Sequence, residues 1–198
     1  MSALAHKLPP GPFTLADLLA IPEERRRHDL VDGTLVEKAS PSFAHGAAQV
    51  KLGAVLDPFH RRPGPPDRPG GWWIASEVEV YFDATNTLRP DVVGWRRERV
   101  GERPSGTPVH VVPDWVCEVL SGNRRDDLVR KKRVYHTYRV GHYWVIDPDS
   151  ETLTVHRHSD DGYTEVLSAM RGERVRAEPF DAVEIAVGIF FGDDGDEG

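Results

Sequence analysis

The spacing of apolar and polar residues changes several times along the chain, and each change marks an element. Phe13, Leu15, Leu18 and Leu19 recur at helical spacing behind Thr14, a residue type that caps helices, and predict a short helix ending at Pro22. His28 to Lys38 reads HDLVDGTLVEK. Its Asp32-Gly33 is a favoured two-residue turn between Leu30/Val31 and Leu35/Val36, so this stretch predicts a hairpin. Ser40-Pro41-Ser42 opens a second helix with an apolar face of Ala47, Val50, Ala54, Val55 and Phe59. Residues 63–71, PGPPDRPGG, form a loop. Trp72 to Phe82 then alternates with a period of two and predicts one strand bent at Ser76. Asn86-Thr87 turns the chain, Arg89 to Trp95 is a second strand, and residues 97–110 are a polar loop. Val111 to Leu120 is nearly all apolar, as strands at the centre of a sheet are. Asp126 to Tyr138 predicts a helix with Leu128, Val134, Tyr135 and Tyr138 near one face, ended by Gly141. Tyr143 to Asp147 is a fourth strand. Thr152 to His158 and Tyr163 to Ser168 make a hairpin around Asp160-Asp161-Gly162, and a short strand near Val183 to Ile185 finishes the fold.

This order predicts an α/β fold of the α+β mixed-sheet kind. The strand–helix–strand unit over 111–147 calls for a right-handed crossover between parallel strands, and the short loops before it make the earlier strands antiparallel. Helices pack on this mixed central sheet and a C-terminal hairpin is added to it. One domain is expected over 13–191, between a loose Pro/Gly-rich segment at 1–12 and a disordered acidic tail at 192–198.

Composition narrows the classes. At 198 residues and 39% hydrophobic content, a globule buries roughly 70% of its extended-chain surface and needs no covalent staples. Cys117 is the single cysteine, which excludes a disulfide framework and a cysteine-built zinc site and suits a reducing, cytoplasmic setting. No apolar run is long enough to span a bilayer, and MSALAHKLPPGPF has no secretory apolar stretch. The net charge is −7, and Asp193, Asp194, Asp196 and Glu197 supply four of the negative charges. Nucleic acid is therefore not held by bulk charge, which leaves a local basic patch beside a small acidic site.

Two acids lie in apolar strand segments. Asp91 follows Pro90 at the head of VVGW, and Glu118 sits inside VCEVL. A buried carboxylate costs several kcal/mol unless compensated. If the two strands pair, these acids approach to a few Å, where like charges at ~4 Å repel by about 4 kcal/mol at an effective dielectric of 20. They must then share a proton or hold a cation, and all-carboxylate ligation suits Mg2+ or Mn2+. The helix that follows carries Arg124, Arg125, Arg130, Lys131, Lys132 and Arg133, with Asp127, Lys131 and Tyr135 at i, i+4 and i+8 on one face. A lysine on that face can orient a water or stabilise charge developing on a phosphate.

The segments RPDVVGW, WVCEVLS and RRDDLVRKKRVYHTYRVGHYWVIDP resemble the Uma-type family of restriction-endonuclease-like proteins, within the PD-(D/E)XK nuclease superfamily. HDLVDGTLVEKASPSFAH is similar to the family's opening hairpin and second helix, so the resemblance spans roughly residues 14–190. It implies a restriction-endonuclease-like fold and a metal-dependent endonuclease of DNA that leaves a 5′-phosphate. Asp91 and Glu118 then stand as the paired carboxylates, with the Val119 carbonyl as a further metal ligand. The superfamily's lysine two residues on is absent, since position 120 is Leu120. In the Uma-type family it moves to the next helix, at a position matching Lys131, with Lys132 as a rival. Asp127, Tyr135 and His45 match further family positions as supporting residues, and Asp29 stands where the family often has the longer glutamate, as an extra acidic residue. Arg124, Arg125, Arg130 and Arg133 are expected to meet the DNA backbone. A homodimer is the expected assembly, since cutting both strands calls for two sites.

Two other classes stay open. One is a nuclease-fold module that binds DNA or protein without catalysis. The other, weaker, is a β-rich metalloprotein built on His156 and His158, which share one strand face.

Overall fold

Thr14 starts the first helix, α1 (Leu15–Ala20), with a reciprocal cap. Its backbone N–H and hydroxyl both donate to the Asp17 carboxylate at 2.8 Å. The computed structural model describes residues 11–63, 69–121 and 125–194, the side chains of 125–127 excepted. Most of the N-terminal segment and of the acidic tail expected from sequence therefore lies outside the described residues, although Asp193 pairs with Arg171.

Strands β1 (His28–Val31) and β2 (Thr34–Glu37) form the expected hairpin, with Leu30 opposite Leu35. Asp32 and Gly33 both take positive φ, 48° and 69°, as this tight turn demands. Ser42 caps α2 (Phe43–Leu56) through the N–H of His45 at 3.2 Å. The buried face of α2 is His45, Ala48, Leu52 and Leu56; of the predicted face, Phe59 and Val55 reach the core, whereas Val50, at 72% exposure, and Ala54 point outward. Alanine and glycine surround this helix on every side, so its sequence carries little directional signal.

The predicted single strand over 72–82 is two strands, β3 (Trp72–Ser76) and β4 (Val80–Asp83), in different sheets. Between them Glu77 takes φ 55°, a left-handed conformation that period-two patterning cannot reveal. Asn86-Thr87 is strand rather than turn: β5 (Asn86–Leu88) pairs with β1 and β4. Asn86 accepts from the Asp32 N–H and donates to Asp83, which ties the two turns together.

β1, β2, β4 and β5 make a four-stranded sheet in the order β2-β1-β5-β4. The central sheet runs β10-β9-β8-β7-β6-β3, using β6 (Val92–Arg96), β7 (Trp115–Val119), β8 (His142–Asp147), β9 (Thr152–Ser159) and β10 (Gly162–Met170). Only β7 and β8 are parallel among these pairs, joined through α3 (Arg125–Thr137) as the crossover argument requires. The predicted C-terminal hairpin is β9–β10 at the sheet edge. A ribbon of β11 (Arg174–Val175) and β12 (Ile185–Ala186) follows it.

Side chains of β7 alternate between two apolar layers. Trp115, Cys117 and Val119 join α2 and the C-terminal segment around Phe180, while Val116 joins Val93, Val134, Tyr135 and Tyr143 on the other face. By the same alternation Glu118 shares the Val116 face, under α3. The architecture is a mixed α/β sheet with helices on it. No described helix is long and apolar enough to cross a membrane.

Candidate active site

The antiparallel pairing of β6 and β7 sets Val92 opposite Cys117, so Asp91 arrives one residue further along, at the Glu118 end of β7. Both carboxylates are buried, Asp91 at 2% and Glu118 at 4% exposure, and both line one cleft of about 360 Å³. Asp91 Oδ2 accepts the Val119 N–H at 2.8 Å. Its Oδ1 lies 3.5 Å from Lys38 Nζ and 3.5 Å from His45 Nε2. Gln49, one turn beyond His45 on α2, donates to the Asp91 backbone carbonyl at 2.8 Å.

Glu118 is held from α3. Tyr135 donates its hydroxyl to Oε1 at 2.6 Å, and Lys131 Nζ sits 3.4 Å from Oε2. Lys131 also pairs with Asp29 of β1, 2.8 Å from Oδ2, while Asp29 Oδ1 accepts the Arg89 N–H. One ammonium thus bridges a strand of each sheet, and at 2% exposure it does so away from solvent. The i, i+4 spacing of Lys131 and Tyr135 is why a single helix face delivers both. The side chain of Asp127 lies outside the described residues.

The two acids titrate in opposite directions. Burial pushes Glu118 up and the neighbouring Asp91 and Asp29 charges add to it, so that it stands at about 7 despite Lys131 and Lys38. Burial also works against ionised Asp91. The close approach of His45, the Lys38 charge and the Val119 N–H outweigh it, and Asp91 falls to about 2. Lys38 is penalised by burial yet raised overall by Asp29, Asp91, Glu118 and Glu77. The site therefore pairs a firmly ionised carboxylate with one poised near neutrality.

Geometry separates the two lysines. Lys131 faces the cleft, whereas Lys132 lies over the Tyr163 ring, 6.0 Å from its centroid, on the β9–β10 side. Asp29, His45 and Tyr135 come together with Asp91 and Glu118. Arg130 and Arg133 are exposed on α3. Arg124 and the Arg125 side chain lie outside the described residues. His156 and His158 do not form a ligand group with any described residue: His156 contacts the Tyr143 carbonyl, and His158 stacks on His136 with ring centroids 4.4 Å apart.

Lys38 and Glu77 were not singled out from sequence. Lys38 follows β2 and is 53 positions from Asp91, and Glu77 reads as one more residue of an alternating strand. The left-handed turn at Glu77 brings its carboxylate to the cleft, 3.1 Å from Lys38. The donor set fits a divalent cation. Ligand atoms of His45, Glu77 and Asp91 lie within 4.8 Å of one another, and Glu118 lines the same cleft.

The chain resembles the solved structure of a protein described as a "putative nuclease belonging to DUF820" from Anabaena variabilis. The two are 20% identical, the match covers 91% of this chain and 98% of that one, and the TM-score is 0.70. At that identity the likeness speaks for the fold. No curated protein matches the chain. The model of the Uma2 family, described as "Putative restriction endonuclease", matches residues 15–188. With its match running through the hairpin, both acid-bearing strands and the lysine helix, the chain belongs to the Uma2 family.

Proposed function

We propose that this protein is a divalent-metal-dependent endonuclease that hydrolyses DNA phosphodiester bonds. The observation that carries the proposal is the convergence of Asp91, Glu118 and Lys131 from two strands and a helix into one cleft. Asp91 and Glu118, with the Val119 carbonyl, would hold Mg2+ or Mn2+. Bound there, the ion polarises the phosphodiester and lowers the pKa of a water.

The chain's own groups do the rest. Lys131 pairs with Glu118 and Asp29 and holds a proton-bearing amine at the cleft wall, where it orients the attacking water or meets charge on the phosphate. Tyr135 fixes the Glu118 carboxylate with a short hydrogen bond, so that the acid keeps one rotamer. Asp91 stays ionised through His45, Lys38 and the Val119 N–H. Arg27 and Arg89 line the cleft and Arg130 and Arg133 stand exposed on α3, and such residues meet phosphate oxygens. Cutting both strands requires two such sites, which a homodimer supplies.

The test is cleavage of double-stranded, single-stranded and branched DNA with Mg2+ or Mn2+, comparing wild type with Glu118→Gln. Metal-dependent cleavage lost in the variant is the expected result. Equal activity in both overturns the site. DNA binding without cleavage by any metal identifies the chain as a non-catalytic member of its fold.

A further inference from the structure

Asp91 has two sides. Oδ2 is turned to β7 and accepts the Val119 N–H, whereas Oδ1 looks toward α2 and the end of β2. On that second side His45 Nε2 makes only a 3.5 Å contact with Oδ1, and His45 Nδ1 has no hydrogen bond among the described residues. His45 is 6% exposed. A buried imidazole this poorly satisfied is costly unless it serves something else. The Glu77 carboxylate completes the group, since its ligand atom, that of His45 and that of Asp91 lie within 4.8 Å of each other.

The same place already attracts a cation. Lys38 Nζ lies 2.9 Å from the Arg89 carbonyl, 3.1 Å from Glu77 Oε2 and 3.5 Å from Asp91 Oδ1. An ammonium ringed by carboxylate and carbonyl oxygens has the surroundings of a hard metal ion, with one positive charge where a divalent ion brings two. Asp29, Glu77, Asp91 and Glu118 all act on Lys38. Lys38 follows directly on β2 and has a long flexible stem, so its head can leave while its backbone stays.

We infer that His45, Glu77 and Asp91 form a divalent-cation position of their own, filled by the Lys38 ammonium until an ion displaces it, and that the imidazole nitrogen makes this position prefer Mn2+ to Mg2+. Mg2+ takes oxygen ligands and keeps its waters, whereas an imidazole donor favours first-row transition ions. The inference rests on the proposed metal-dependent nuclease and deepens it, because Asp91 then serves both positions and Lys38, once displaced, is released beside a phosphate.

Mn2+ added to the full-length metal-free chain, read by electron paramagnetic resonance, tests this without DNA. Affinity comes from loss of the free-ion signal, and nitrogen modulation of the spin echo reports imidazole ligation. Wild type should show nitrogen modulation. His45→Gln should lose it and bind Mn2+ at least about tenfold more weakly. Glu118→Gln should retain it. Lys38→Met should bind Mn2+ at least about tenfold more tightly, since its competitor is gone. Mg2+ should displace the nitrogen-modulated ion only at about a hundredfold higher concentration.

The inference is overturned by modulation that is absent in wild type, that survives in His45→Gln or that disappears in Glu118→Gln. It is also overturned by unchanged or weaker binding in Lys38→Met, or by equal displacement by Mg2+. Thermal melts establish that the variants are folded. A wild type with His45-dependent modulation that cuts no DNA sinks the nuclease proposal and leaves this one standing. Glu118-dependent cleavage without nitrogen modulation does the reverse.

Discussion

The Tyr135 hydroxyl donates to Glu118 Oε1 at 2.6 Å across the interface between α3 and β7, and both residues are buried. The bond ties a buried acid of the cleft to the helix that brings Lys131. Removing the hydroxyl while keeping the ring leaves the buried Glu118 short of a donor. Tyr135→Phe should cost about 2 kcal/mol, the range for a buried bond to a charged group. For a chain of this size that is about 4–8 °C in Tm, checked by calorimetry. An unchanged Tm would mean that the phenol carries no share of the charge.

Lys131 and Lys132 are adjacent in sequence and separated by the helix surface, one in the cleft and one over Tyr163. Lys131→Gln should lower cleavage by about 10²–10⁴-fold, the usual contribution of a positioned proton-handling group. It should also destabilise the fold, since Asp29 and Glu118 lose a shared cation. Lys132→Gln should stay within a few-fold of wild type. Rates normalised to folded protein, measured by circular dichroism, decide it, and equal losses in both variants would remove Lys131 from the chemistry.

Asp83 supplies an acid-side contribution to stability remote from the cleft. Burial works against its ionised form, but bonds from Tyr138, Asn86 and Thr85 outweigh it and hold the carboxyl below its usual value. A group whose pKa is depressed on folding stabilises above its unfolded pKa and loses that contribution as pH falls through the folded value. Asp83→Asn should therefore be less stable than wild type at pH 7, with the gap closing below about pH 4. Urea midpoints at pH 7, 4 and 3 measure it. A gap that holds constant with pH would place the effect in packing.

Phe180 stands between four aromatic rings. Phe59 and Trp72 are 4.9 Å from it by centroid, Trp115 5.0 Å and Trp144 5.6 Å. The C-terminal segment is thereby part of the core under the central sheet. Phe180→Ala should cost about 3–5 kcal/mol. A chain ending before residue 177 should fail to give a cooperative melt, whereas a hairpin that merely decorated the sheet would be dispensable.

Local chemistry made much of this protein readable in one dimension. Asp32-Gly33 specifies its turn because both residues tolerate positive φ, and the 28–38 hairpin follows. Val111 to Leu120 is apolar enough to demand a central place, and the 125–137 helix lies between two strands that can only be parallel. Asp91 and Glu118 were visible because carboxylates in apolar strands need a reason, and Lys131 with Tyr135 because helical spacing puts them on one side. Each of these signals depends on neighbours within about eight residues.

Long-range placement depends on forces that leave no local trace. The Ala- and Gly-rich α2 could turn any side inward, and packing against the central sheet selected His45, Ala48, Leu52 and Leu56. The turn at Glu77 splits an unbroken alternation between two sheets, and only there does its carboxylate meet Lys38. Lys38 and Asp91 lie 53 residues apart, and Asp29 and Lys131 are farther still, so nothing in either neighbourhood encodes their contact. Charge pairing of this kind is decided when the two sheets and α3 close over the cleft, because burial turns weak attractions between distant residues into strong ones.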